Sequence, residues 1–169
     1  MAGRASLKSG LAAVLASAVV TSGLAAADPA SPSPLLASIF QDHAVLQRDR
    51  PIEVWGRAAA GETVSVSLDG QQASARADAS GRWSARLPAR GAGGPFTLEA
   101  RAASGAAQVL SDILVGDVFL CSGQSNMEMT VSRSRGGEWA AARSADDRLR
   151  LLTLPHADRA APAADLPAG

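Results

Sequence analysis

From Val64 to Leu68 apolar and polar residues alternate strictly, Val-Ser-Val-Ser-Leu, which is the period of a half-buried β-strand. Asp69-Gly70 then supplies a two-residue turn, and Gln71 to Ala77 alternates again with Ala73, Ala75 and Ala77 on one face. The pattern predicts a hairpin. Asp78-Ala79-Ser80-Gly81 marks a second turn, after which Trp83, Ala85 and Leu87 face one way and the intervening arginines face water. Gly91 to Pro95 punctuates the chain before Phe96-Thr97-Leu98-Glu99-Ala100, and Ile52 to Gly56 forms a further short strand behind Pro51. Short strands separated by turns at intervals of roughly 8–12 residues predict an all-β sandwich over residues 35–114. Its alanine-rich inner faces predict a thin core, with Trp55 and Trp83 filling it.

The pattern changes at Val109. Leu110, Ile113, Leu114, Val115, Val118, Phe119 and Leu120 form an apolar stretch broken by Gly116-Asp117. Such a run predicts a strand buried on both faces, as in a parallel α/β sheet, with a domain boundary near Val115-Gly116. The strand empties into the turn Gly123-Gln124-Ser125-Asn126, beyond which the composition is helical but weakly patterned. Asp146 to Leu154 predicts a second strand, and the Ala/Pro/Asp-rich stretch from Pro155 reads as loop. The expected fold class is therefore mixed: an N-terminal β-sandwich over 35–114, then the beginning of an α/β domain over 115–169.

Composition changes this picture mainly at the N-terminus. Arg4 and Lys8 precede an apolar run from Leu11 to Val20 and the small-residue site Ala25-Ala26-Ala27. The run is shorter than the roughly 20 residues of a membrane span. Residues 1–27 are expected to be a signal peptide and 28–34 a Pro/Ser linker, placing the chain outside the cytoplasm, secreted or periplasmic. Without the 16 − 14 = 2 basic residues of that segment, the charge is 14 − 16 = −2. Scattered arginines on a near-neutral chain give no electrostatic footprint for nucleic acid, nor for membrane beyond the signal peptide. Cys121 stands alone, so no internal disulfide can form, and its place in an apolar run predicts a buried, inert thiol. His43 and His156 share no metal-ligand spacing, and neither metal nor cofactor is expected.

The serine turn carries the candidate chemistry. A strand fixes Ser125 in space, Gly123 permits a sharp reversal, and a following helix N-terminus offers free N–H groups to an oxyanion. A hydroxyl so displayed is a candidate nucleophile. The alternative from the residues alone is a serine that merely caps a helix. Met127 stands where the common Gly-x-Ser-x-Gly elbow has its second glycine, so the generic α/β-hydrolase motif is not matched.

Cys121-Ser122-Gly123-Gln124-Ser125-Asn126-Met127-Glu128-Met129 resembles the first signature block of the sialate O-acetylesterase family, a branch of the SGNH hydrolases. The resemblance continues upstream in Ile39 to Arg48, Pro51 to Gly56, Gly61 to Val64, Gly81 to Ser84 and Gly94 to Leu98. It covers about residues 36 to 155. It implies a flavodoxin-like SGNH core behind the sandwich and metal-free hydrolysis of acetyl esters on sugars, sialic acids or plant polysaccharides. Ser125 matches the nucleophile, and its own N–H would be one oxyanion donor. Gly123, Gln124 and Asn126 match the same block, where shaping the turn and touching substrate remain equally open roles. Asp42 and His43 match a β-domain motif rather than the catalytic acid–base pair, and His43 is expected to be a lone surface histidine.

The family's catalytic pair, Asp-x-x-His in a late block, has no counterpart here. His156, followed by Asp158, lies where the family pattern has no catalytic histidine, and it is not expected to be the general base. The family's glycine and asparagine oxyanion donors from middle blocks are also lacking. Since 169 − 125 = 44 residues follow the serine, too few for a domain of roughly 100–200 residues, the expectation is an N-terminal fragment inactive by itself. The competing class is a non-catalytic secreted sandwich, structural or carbohydrate-binding, in which an exposed Trp55 or Trp83 would stack on a sugar. Oligomeric state is not legible.

Overall fold

The computed structural model describes residues 34–154 together with Ala161, Asp165 and Leu166. The expected signal peptide 1–27, most of the linker and His156 lie outside the described residues. The described chain is mostly β, with two sheets sharing one core. One sheet has five strands, in the order β1 (Val45–Gln47), β7 (Ala107–Gly116), β6 (Gly93–Ala102), β3 (Thr63–Leu68) and β4 (Gln71–Arg76). The other pairs β2 (Ile52–Arg57) with β5 (Arg82–Leu87). All pairings are antiparallel except β1 with β7, which run parallel.

Alternation accounts for most of this. Val64, Val66 and Leu68 from β3 meet Leu98, Ala100 and Ala102 from β6, and Val54, Trp83, Ala85 and Leu87 close the core from the second sheet. The expected hairpin forms with Leu68 opposite Gln71. Asp69 (φ 47°) and Gly70 (φ 79°) both take the left-handed conformation that a type I′ turn demands. Ala73 and Ala75 are half-buried against the core while Ala77 is fully buried. Gly56 has a steric reason: an added Cβ would lie 1.8 Å from the Leu35 carbonyl oxygen, where the lead-in residue Leu36 bridges to it. The buried Trp83 indole N–H donates to that same Leu35 carbonyl at 3.2 Å.

Four expectations need correction. The apolar stretch after Val109 is not an α/β strand. It is β7, a sandwich strand that ends at Gly116 and buries Leu110, Ile113 and Val115. Those positions break strict alternation because the strand bulges at Ser111-Asp112, where Asp112 has φ 54° and the pairing with β6 slips between Leu98↔Leu110 and Phe96↔Ile113. Beyond Gly116 the apolar residues stay in water: Phe119 is 82% and Leu120 88% exposed, and Cys121 is exposed rather than buried. No strand forms over Asp146 to Leu154, where extended composition finds no partner strand among the described residues. Trp55 is 39% exposed, not a core residue, because its position on β2 faces away from the other sheet.

Candidate active site

The segment that carries Ser125 leaves the sandwich through two polar ties. Arg48 Nε donates to Asp117 Oδ1 at 2.8 Å, and the Val118 N–H donates to Gln47 Oε1 at 3.0 Å. Past the exposed Phe119 to Cys121, Gln124 is extended (φ −106°, ψ −165°) and Ser125–Met127 winds one 3-10 turn. The expected α-helix N-terminus behind the serine is thus replaced by a single tight turn, closed by Met127 N–H to the Gln124 carbonyl at 2.8 Å. Glu128 N–H and Met129 N–H donate to the Ser125 and Asn126 carbonyls. A Cβ on Gly123 would sit 2.7 Å from Met127 Cγ, so the glycine leaves room for that side chain to fold back over the turn.

Gly123, Gln124, Ser125 and Asn126 are all exposed. Neither the Ser125 hydroxyl nor the N–H groups of Ser125 and Asn126 make a hydrogen bond to another described residue. The turn therefore displays a hydroxyl beside two unspent backbone donors, the raw material of a nucleophile and an oxyanion site. Among the described residues, no side chain accepts a hydrogen bond from that hydroxyl.

The structure brings together a second group of residues. His43 Nδ1 lies 2.6 Å from Asp112 Oδ2, and Arg150 Nη2 donates to the same oxygen at 2.8 Å. The His43 hydrogen bond, supported by the Arg150 charge, holds the Asp112 carboxyl below its ordinary pKa. Next to it, the Ser111 N–H and hydroxyl hold the Asp42 carboxyl low as well. His43 is a surface histidine as expected, but it is not alone. Its backbone φ of 68° and that of Asp112 at 54° are both left-handed, and the His43 N–H donates to the Ser111 carbonyl at 3.1 Å. This joint bolts the loop before β1 to the β7 bulge, and Arg150 ties the segment after Ser125 to the same bulge. No hydrogen bond links it to Ser125 among the described residues. Asp112 and Arg150 escape a reading of the sequence; the available signal is a charged residue in the middle of an apolar strand. Among the described residues no three His, Cys, Asp or Glu side chains gather as metal ligands would.

A β-rich unit that displays an exposed serine turn is similar to part of known carbohydrate esterases. A carbohydrate acetylesterase from Xanthomonas citri matches over 80% of this chain and 31% of its own, with a TM-score of 0.75 and 40% identity. The chain is likewise similar to sialate O-acetylesterases: that of Mus musculus is 37% identical over 107 residues, and that of Homo sapiens 38% over 106. The matches cover 57% and 56% of this chain and 20% of either relative, so the chain spans about a fifth of the length of the curated relatives it matches. No family model matches the chain. The resemblance to the sialate O-acetylesterase family, carried by the motifs around Ser125 and through the sandwich, holds over this partial coverage.

Proposed function

We propose that this chain carries the nucleophile segment of an exported carbohydrate O-acetylesterase of SGNH type, with Ser125 as the nucleophile and O-acetylated sugars or polysaccharides as substrates. The observation that carries the reading is the exposed Ser125 hydroxyl on a tight turn with two unspent amides, in a chain 40% identical to a carbohydrate acetylesterase. In the reaction the hydroxyl oxygen attacks the acetyl carbonyl carbon, and the Ser125 N–H stabilises the oxyanion. The sugar hydroxyl departs with a proton, and water then releases acetate from the acyl-serine. Gly123, Gln124 and Asn126 shape the turn.

The attack needs a base to take the serine proton, and no described residue bonds to that hydroxyl. In subtilisin, a serine hydrolase, loss of the triad histidine costs roughly 10⁶-fold in kcat. The exposed apolar side chains from Val118 to Leu154 support the view that further esterase elements cover this segment and bring the base. This chain by itself is therefore expected to release no acetate above background. Grafting residues 34–154 into the Xanthomonas citri acetylesterase in place of its matching region tests the reading directly. Deacetylation by the graft that vanishes in Ser125→Ala supports it. Retained turnover in Ser125→Ala sinks it, while Ser125-dependent turnover by the isolated chain would overturn only the expected inactivity.

A further inference from the structure

On the outer face of the β2–β5 ladder, Arg57 lies directly opposite Arg82. Both are exposed. Like charges at directly opposed positions destabilise a sheet unless something negative sits between them. Arg57 Nη2 donates to the Ser80 carbonyl at 3.1 Å, and neither guanidinium forms an ion pair among the described residues. The nearby Asp78 attracts the Arg82 guanidinium through space without bonding it, while its Oδ1 accepts from the N–H groups of Ser80 and Arg82 and from the Ser80 hydroxyl. Glu53, at the far end of the same face, is taken by the Ser84 hydroxyl at 2.8 Å and Arg86 at 3.8 Å. Among the described residues, neither guanidinium is thus hydrogen-bonded or ion-paired to a carboxylate.

One step along the same face, roughly 7 Å away at the rise of a strand, stands the exposed Trp55. It is opposite Ser84 and diagonal to Arg82. Its ring is braced edge-on by the buried Phe40, with centroids 4.7 Å apart and planes at 73°, so it is held in place rather than free. An aromatic surface beside two guanidinium groups that hold no ion pair among the described residues matches one kind of ligand: a ring with an apolar face and a carboxylate at its edge. We propose that the outer face of β2–β5 binds an acidic sugar residue of a glycan, its ring stacked on Trp55 and its carboxylate seated between Arg57 and Arg82. Guanidinium groups suit this role because their planar donors meet carboxylate oxygens in pairs. The site shares no residue with the Ser125 turn, and the inference does not depend on the esterase reading.

Calorimetric titration of the full chain decides it, with trigalacturonate and sialyllactose as acidic glycans and cellotriose as the neutral control. Either acidic glycan should bind at least about tenfold more tightly than cellotriose, the size of one lost charged hydrogen bond. Which of the two binds then identifies the source of the carboxylate. Binding should weaken with added salt. Arg57→Gln and Arg82→Gln should each cost about tenfold and erase the preference for acid. Trp55→Ala should lose binding, while Trp139→Ala, at the other exposed tryptophan, should not. The arginine variants keep the test sound if Trp55→Ala unfolds. Equal binding of neutral and acidic glycans, binding untouched by the arginine variants, or no binding at all overturns the proposal.

Discussion

Two consecutive stretches of this chain are both rich in apolar residues and end in opposite states. Between Leu35 and Gly116, inward positions of seven strands, joined by Leu35 to Phe40, form one core in which Val54, Val64, Leu68, Leu98 and Ile113 have no exposed surface. Between Asp117 and Leu154, Gly137 alone is fully buried, while Phe119, Leu120, Leu151 and Trp139 lie in water. The difference is pairing. In the first stretch a period of two places the apolar side chains on one face, and a second sheet covers that face. In the second the apolar residues occur in runs, the backbone forms 3-10 turns and one short helix, α1 (Gly137–Ala142), and no opposing layer is present among the described residues. Apolar composition is a demand for burial, and a partner surface is what meets it.

Core truncation tests that contrast most strongly. Leu98→Ala in the full chain is expected to lower unfolding free energy by about 2–5 kcal/mol in urea titration, because a closed site cannot refill the cavity. Phe119→Ser should change it by less than about 0.5 kcal/mol. A comparable loss at Phe119 would mean that the second stretch has a hidden core, and the contrast would fail. Gly56→Ala comes next, at about 1–3 kcal/mol, since the new methyl must push the Leu35 backbone away from β2. Thermal denaturation would read it, and an unchanged melting temperature would deny the close crossing there.

A smaller effect is expected at Gly70, which has open space around a missing Cβ but a φ of 79°. Gly70→Ala should cost about 1 kcal/mol through backbone strain alone. Gly70→Asn, with a side chain that tolerates this conformation, should recover part of it. Acid provides the gentlest probe. Asp112 has a lowered folded pKa, so its stabilising contribution is complete above the unfolded carboxylate value of about 3.9 and disappears as pH falls through the lower folded value. Asp112→Asn should flatten the acid limb of the melting-temperature profile and raise protease cutting after Gly116, where Arg150 loses its anchor. Unchanged cutting would show that Arg150 holds nothing in place.

Strands with clean alternation are legible from the sequence, as is the Asp69-Gly70 turn, because each needs only local physics: a period of two and a residue pair that accepts positive φ. β1 is not, since three residues between Ala44 and Arg48 carry too little pattern, and its parallel pairing with β7 is a long-range event. β7 misleads because a bulge at Asp112 moves Ile113 and Val115 inward, so alternation and burial part company within one strand. Trp55 misleads for a different reason. Its apolar neighbours Val54 and Gly56 face the core, and period two puts the tryptophan on the other side. For the candidate site, the exposed serine turn can be anticipated from Gly123-Gln124-Ser125-Asn126. The joint of His43, Asp112 and Arg150 cannot, because its members are scattered over the chain.

The closure of the sandwich has a consequence for how the protein is made. Among the described residues, every named strand lies between Val45 and Gly116, so this unit needs nothing beyond Gly116 to close its sheets and can fold before the serine segment is in place. The serine segment then settles beside a finished platform, with Arg48 in place to receive Asp117.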